Sequence, residues 1–186
     1  MKAVAAGLAG VLIFEPEVFG DARGFFVETL RQQRLQQAGL NLHFVQHNQS
    51  RSRQGVLRGL HYQLERPQGK LIGCSRGSVF DVAVDVRRGS PGFGRWIGVM
   101  LDDVAHRQVY LPPGFAHGFC VLSQDADLIY HCTDYHHAAS ETGVAWNDPA
   151  IGIEWPEMKG GWTLSDRDRA LPKLADQTRL PVFAAQ

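Results

Sequence analysis

Short apolar runs recur along almost the whole chain, each ended within a few residues by Gly, Pro, Asp or Ser. That punctuation leaves little room for anything but β-structure. The cleanest run is residues 78–87, where Phe80, Val82, Val84 and Val86 fall on one side and Asp81, Ala83, Asp85 and Arg87 on the other. Side chains of a strand alternate between its faces, so this spacing predicts a strand. A turn at Arg88-Gly89-Ser90-Pro91-Gly92 closes it. Further strands are expected near residues 11–14, 25–28, 44–50, 70–74, 95–101, 106–111, 117–122 and 128–133. Many short strands with few helical segments define an all-β sandwich or barrel. Helix is expected over residues 30–38, stopped by Gly39, and near 164–168, where Ser165 is a candidate N-cap with an acid three residues on. The tail after Pro172 reads as irregular surface chain, and no repeat or linker divides the sequence. A single domain over residues 1–186 is expected.

Composition narrows the function. At 44% hydrophobic and 20% charged residues the chain is globular. Nineteen basic side chains balance nineteen acidic ones, with no basic run, so neither nucleic acid nor an anionic membrane is the expected partner. A local arginine cluster for a small anion needs no net charge. Cys74, Cys120 and Cys132 form no Cys-x-x-Cys pair, which indicates neither a disulfide framework nor a thiolate zinc site. The mildly apolar first ten residues are soon followed by Glu15 and Glu17, which reads as a first strand or arm rather than a signal peptide. No apolar run is long enough to span a bilayer. A cytoplasmic protein is expected.

The chemistry concentrates at residues 54–63, Gln-Gly-Val-Leu-Arg-Gly-Leu-His-Tyr-Gln. In a regular strand Arg58 and His61 point opposite ways. Gly59 between them permits a bulge that brings both to one face. The alternative is an edge-strand arginine beside a hydrogen-bonded core histidine. Residues 44–50 place Phe44, Gln46, Asn48 and Ser50 on one face, which suits either a wet pocket or a solvent face. Pro112-Pro113-Gly114-Phe115-Ala116-His117 has the Pro-x-Gly-x-x-His shape of the second cupin motif. The first motif's His-x-His pair is missing, since His61 stands alone before Gln63, so three metal ligands do not assemble and no metal is expected. His117 is then a pocket donor or a buried histidine. Acid–base chemistry fits better, because a histidine works near neutral pH once a carboxylate fixes its tautomer. Asp81, Asp85, Asp148 and Asp168 are candidates, and spacing does not choose among them. Tyr130 reads by default as a core aromatic and Lys70 as a solvated lysine.

Together the motifs resemble a known family. Asp-Ala-Arg-Gly-Phe-Phe at 21–26, Phe-Val-Gln-His-Asn-Gln-Ser at 44–50 and Gly-Val-Leu-Arg-Gly-Leu-His-Tyr-Gln at 55–63 are similar to those of dTDP-4-dehydrorhamnose 3,5-epimerases. So are Gln-Gly-Lys-Leu at 68–71, Val-Phe-Asp-Val-Ala-Val-Asp-Val-Arg at 79–87 and Ser-Pro-Gly-Phe-Gly-Arg-Trp at 90–96. Pro-Pro-Gly-Phe-Ala-His-Gly-Phe at 112–119, Trp-Asn-Asp-Pro at 146–149 and Ile-Glu-Trp-Pro at 153–156 complete the set. The resemblance implies a cupin-type jelly-roll of β-strands with a few short peripheral helices, acting as a homodimer without metal or cofactor. It implies inversion of C3 and C5 in a 4-keto-6-deoxysugar carried on dTDP, on the route to dTDP-L-rhamnose. By the same resemblance His61 is the base, Asp168 its orienting carboxylate, Tyr130 the acid on the opposite ring face and Lys70 the stabiliser of the enolate oxygen. Gln46, Asn48, Arg58, His117 and Glu141 match substrate contacts. Arg23, Phe26 and Glu28 match a segment at the nucleotide end of the site, partly across the dimer. The chain departs from the family's pattern at His47, where many members have Asp, and at His136-His137-Ala138-Ala139, which replaces a more aromatic stretch. The nearest rival within the family is therefore a 5-only or 3-only epimerase. Outside it, the rivals are a metal-dependent cupin and a non-catalytic nucleotide-sugar binding module.

Overall fold

A computed structural model describes residues 1–184. The strands are β1 (Lys2–Ala5), β2 (Leu12–Glu15), β3 (Val18–Asp21), β4 (Gly24–Val27), β5 (Gln46–Arg53), β6 (Leu57–Gln63) and β7 (Lys70–Arg76). They continue with β8 (Ser78–Asp85), β9 (Trp96–Asp102), β10 (Gln108–Leu111), β11 (Phe115–Val121), β12 (Asp125–Cys132) and β13 (Glu141–Gly143). Among the described residues helix is confined to α1 (Gln32–Gln37), α2 (Asp166–Arg169) and single 3-10 turns. Two antiparallel sheets stack face to face in a cupin-type sandwich, one ordered β1-β2-β10-β7-β12-β5 and the other β13-β6-β11-β8-β9. The β3–β4 hairpin forms a separate two-stranded sheet.

Period-two patterning accounts for the core. Ile72, Cys74 and Leu128 from the larger sheet meet Val79, Ala83, Phe119 and Val121 from the smaller one, all buried. The opposite face of β8 is no less buried. Val82, Val84 and Val86 pack with Leu60, Tyr62 and Val144 beneath chain from the C-terminal third, including Ile153, Trp155 and Leu174. Asp81 therefore faces the interior, not solvent, and is 2% exposed. The tail after Pro172 is more ordered than its sequence suggests. Tyr62 donates to the Arg179 carbonyl, and the Arg88 amide donates to the Pro181 carbonyl.

The inward row of each sheet runs from this core into chemistry. On β7 and β12 the row of Ile72, Cys74 and Leu128 continues to Lys70, Tyr130 and Cys132, with Cys132 directly opposite Lys70. On β11 the row of Phe119 and Val121 continues to His117. The apolar end holds the sheets together, and the polar end holds a cavity open between them.

Candidate active site

The cavity is about 630 Å³ and is walled by both sheets and the segment around α2. Asn48, Ser50, Lys70 and Tyr130 come from the larger sheet, and Arg58, His61 and His117 from the smaller.

The β6–β11 pairing shifts between His117 and Phe119, so Gly59 and Leu60 together oppose Gly118. This bulge puts Arg58 and His61 on the same cavity wall, three residues apart. Gly59 has φ +109°, in the region that favours glycine, and a Cβ there would sit 2.6 Å from Gly118 Cα and the His117 carbonyl oxygen. Leu60, facing outward, is fully buried in the second core cluster.

Two histidines of the cavity, His61 and His117, each have their own aspartate. Nε2 of His61 lies 2.6 Å from Oδ1 of Asp168. Ser165 caps α2 by accepting from the Asp168 amide at 3.1 Å, which fixes that carboxylate, 4% exposed, against the ring. An ionised carboxylate accepts, so His61 carries its proton on Nε2 and keeps a lone pair on Nδ1. Burial lowers the His61 pKa below its ordinary value, and the neighbouring Asp168 offsets this only in part. His61 is thus a neutral base at pH 7. His117 holds Asp81 at 2.7 Å. Of the other two candidate aspartates, Asp85 binds Arg87 and Ser90, and Asp148 receives the Ala150 and Leu174 amides. Both are structural.

Tyr130 is a protonated phenol. Burial drives its pKa upward, its hydroxyl lies 3.2 Å from Ser50 Oγ, and its ring stands edge-on to His117 with centroids 6.1 Å apart. Burial also pulls the Lys70 amine below the ordinary lysine value, against the attraction of Cys132, Glu141 and Asp81. Lys70 is no solvated lysine. Burial pushes the Glu141 carboxyl up, but Arg167, which binds it at 2.7 Å, together with the nearby His61 and His136 holds it below its ordinary value.

Of the remaining expected residues, Asn48 lines the cavity, and Gln46 stands behind it, donating to Asn48 at 3.1 Å and accepting from the His136 amide at 2.8 Å. Arg23, Phe26 and Glu28 lie on or beside the β3–β4 hairpin and do not line the cavity. Arg23 pairs with Asp21, and Glu28 accepts from Arg31 at 2.7 Å. His47 faces His131 on the opposite side of the sheet, at 3.2 Å between Nδ1 atoms, so its departure from the family pattern falls outside the cavity. Ser50, on the face read as wet pocket or solvent, Gln68, in one of the family motifs, and His136, in the departing stretch, also line the cavity, as does Arg167, which had not been singled out in the sequence. Arg167 sits next to Asp168, and that adjacency was the available signal. Among the described residues no cluster of three or more His, Cys, Asp or Glu side chains is placed to hold a metal ion, and none of the helices is long and apolar enough to cross a membrane.

A buried imidazole–carboxylate base and a protonated phenol, set on opposing sheets around one cavity beside a lysine, define an acid–base isomerase on a cupin-type scaffold. The family model for dTDP-4-dehydrorhamnose 3,5-epimerase matches residues 5–176. The dTDP-4-dehydrorhamnose 3,5-epimerase of Salmonella typhimurium is 50% identical over 182 residues, covering 97% of this chain and 98% of that one. The crystal structure of RmlC from Legionella pneumophila, a dTDP-6-deoxy-D-glucose-3,5-epimerase in complex with dTDP-4-keto-L-rhamnose, is 46% identical. It covers 99% of both chains with a TM-score of 0.95. NovW, a 4-keto-6-deoxy sugar epimerase from the novobiocin gene cluster of Streptomyces spheroides, is 41% identical over 98% of this chain and 94% of its own, with a TM-score of 0.93. The chain belongs to the dTDP-4-dehydrorhamnose 3,5-epimerase family.

Proposed function

We propose that this enzyme converts dTDP-4-dehydro-6-deoxy-D-glucose to dTDP-4-dehydro-L-rhamnose by inverting C3 and C5. The observation that carries the reading is the pairing of a neutral His61 on one sheet with a protonated Tyr130 on the other, across one cavity. A C–H bond beside a ketone is acidic enough to break when the electron pair it releases moves onto the carbonyl oxygen. His61 Nδ1 takes the proton, and Lys70 stabilises the oxyanion. Tyr130 returns a proton to the opposite face of the same carbon, which inverts it. Solvent then takes the proton from His61 and returns one to Tyr130, after which turning the second α-carbon toward the pair repeats the step, and the sugar is neither oxidised nor reduced. Arg58, Asn48, His117 and Glu141 contact the substrate, with Gln46 supporting Asn48. Arg58 supplies a guanidinium for a diphosphate.

The chain acts as one catalytic domain and as a homodimer, in the cytoplasm. Phe19, Phe25 and Phe26 on the β3–β4 hairpin are 55%, 60% and 69% exposed. Three large aromatics on one small hairpin suit a contact with a second copy. Arg23, Phe26 and Glu28 then meet the nucleotide end of that copy's site. The likeness to ChmJ, a 3'-monoepimerase from Streptomyces bikiniensis that is 39% identical with a TM-score of 0.89, supports a second reading, an epimerase acting on one centre of a related 4-keto-6-deoxysugar.

Incubation of the keto sugar in D₂O, followed by NMR, tests both readings. The first expects deuterium at C3 and C5 with the L-configured product, and the second expects it at one carbon only. His61→Asn should lower the rate by about 10² to 10⁴. Tyr130→Phe should keep hydrogen washout at the first carbon and lose inversion. Full activity in His61→Asn would refute the assignment.

A further inference from the structure

Inverting two centres uses Tyr130 twice, so the phenol has to be recharged with a proton between the two turns. Its surroundings make both giving and regaining that proton hard. Burial pushes the phenol above its ordinary pKa, against the hydrogen bond with Ser50 and the charge of Arg58. A buried phenolate is costly unless a donor meets its oxygen.

Strand β5 supplies that donor. It is the edge strand of the larger sheet, and its register sets Ser50 opposite Leu128 and Asn48 opposite Tyr130. Ser50 is therefore the diagonal neighbour of Tyr130 on the cavity face, a separation that an aromatic side chain spans. Ser50 Oγ lies 3.2 Å from the Tyr130 hydroxyl, and among the described residues neither hydroxyl has another hydrogen-bond partner. The polar side chains on either side of Ser50 are committed elsewhere. Asn48 accepts from Gln46 at 3.1 Å, and Ser52, 5% exposed, accepts from Arg58 at 3.0 Å. Ser50 is half-buried and lines the cavity, so its hydroxyl faces both the phenol and the open space beside it. A serine hydroxyl holds one proton and two lone pairs, so it donates to one neighbour while accepting from another.

We propose that Ser50 is the positioning and proton-return residue of Tyr130. Its hydroxyl donates to the Tyr130 oxygen while the phenol proton turns to the sugar carbon, and so steadies the phenolate as it forms. The Ser50 proton then passes to that oxygen as a water protonates Ser50, and the hydroxide that remains takes the proton held by His61. The O–H bond of Ser50 breaks and re-forms, and no net charge is left in the cavity. This rests on the epimerase reading above. The enolate has two fates. Protonation by Tyr130 inverts the carbon, and return of a proton by His61 restores the starting sugar. Ser50 assists the first alone, so it sets how the enolate divides between them.

The test uses the full-length enzyme with Ser50→Ala, Ser50→Cys and Ser50→Thr in D₂O. NMR reads the ratio of deuterium in recovered substrate to inverted product, alongside kcat, KM and melting temperature. Ser50→Ala is expected to lower kcat about tenfold or more, as for loss of a hydrogen bond to a charged group, with KM changed less than about twofold. The ratio should rise by about the same factor as kcat falls, because washout through His61 continues while inversion slows. Ser50→Thr keeps the hydroxyl and should bring the ratio back toward that of the unsubstituted enzyme. A merely structural loss slows washout and inversion together and leaves the ratio unchanged. That result, or a ratio in the Thr variant as high as in the Ala variant, overturns the proposal. If Ser50→Ala fails to fold, the same ratio in Ser50→Cys decides, since a thiol is a weak donor of similar shape. If the unsubstituted enzyme shows no exchange at all, the epimerase reading falls first. Normal exchange with a ratio that no substitution moves sinks the inference about Ser50 alone.

Discussion

At the scale of single residues, the site is a set of groups whose charge is governed by burial and one partner each. His61 is kept neutral by burial, Tyr130 is kept protonated by burial, and Asp168 is aimed by Ser165. A base whose pKa in the folded protein is lowered loses activity only once the pH falls below the ordinary histidine range. The acid limb of kcat/KM should therefore have its midpoint below 6.5, the ordinary histidine value. Asp168→Asn removes the charge that opposes the shift, so the limb should move further to acid as the rate falls. A limb that moved toward neutral pH would contradict this assignment of the base. Stability has the same sign. Below 6.5 the unfolded chain takes up protons that folded His61 and His131, both lowered chiefly by burial, take up only at lower pH. Unfolding free energy should therefore decline as pH drops through that range, measured by denaturant titration at several pH values.

At the scale of elements, strand β6 decides whether there is a site at all. In an unbroken strand Arg58 and His61 would occupy opposite faces, one in the cavity and one in the outer core. The bulge at Gly59 and Leu60 removes that conflict, and only glycine fits its conformation and its approach to Gly118. Gly59→Ala should cost several kcal/mol, of the order seen for backbone strain added to a steric clash, and should depress kcat more than Ser165→Ala does. Circular dichroism melts with exchange kinetics on the same samples check it. The outward neighbour gives a control. Leu60→Ala deletes fully buried methyl groups and should destabilise by about 2–5 kcal/mol. Arg58 and His61 keep their places in the fraction that stays folded.

At the scale of the whole molecule, two sheets share one interior that is apolar at one end and chemical at the other. The exposed hairpin belongs to the same design if a second copy covers it. Phe25→Ser with Phe26→Ser should shift the protein toward monomer in light scattering and weaken nucleotide binding, leaving the melt of the monomer nearly unchanged. Much of this architecture was legible beforehand. Alternation marked β8, Gly39 marked the end of α1, Ser165 marked the start of α2, and the glycine in β6 marked the bulge. The short strands Val18–Asp21 and Glu141–Gly143 were not legible, being too brief to show a period. Lys70 misled because a lysine opening a strand usually meets water, whereas here a second sheet covers it. The sequence by itself determined the β class, the faces of the strands and the residue types available for proton transfer, because those depend on spacing a few residues long. Spacing left four aspartates open and only the resemblance named Asp168 for His61; it is the tertiary structure that brings Asp168 to His61 and Asp81 to His117, and that sets His136 beside Glu141. Those pairings join strands and loops distant in the chain, and nothing local encodes which of several carboxylates a folded sandwich brings within 3 Å of a given ring.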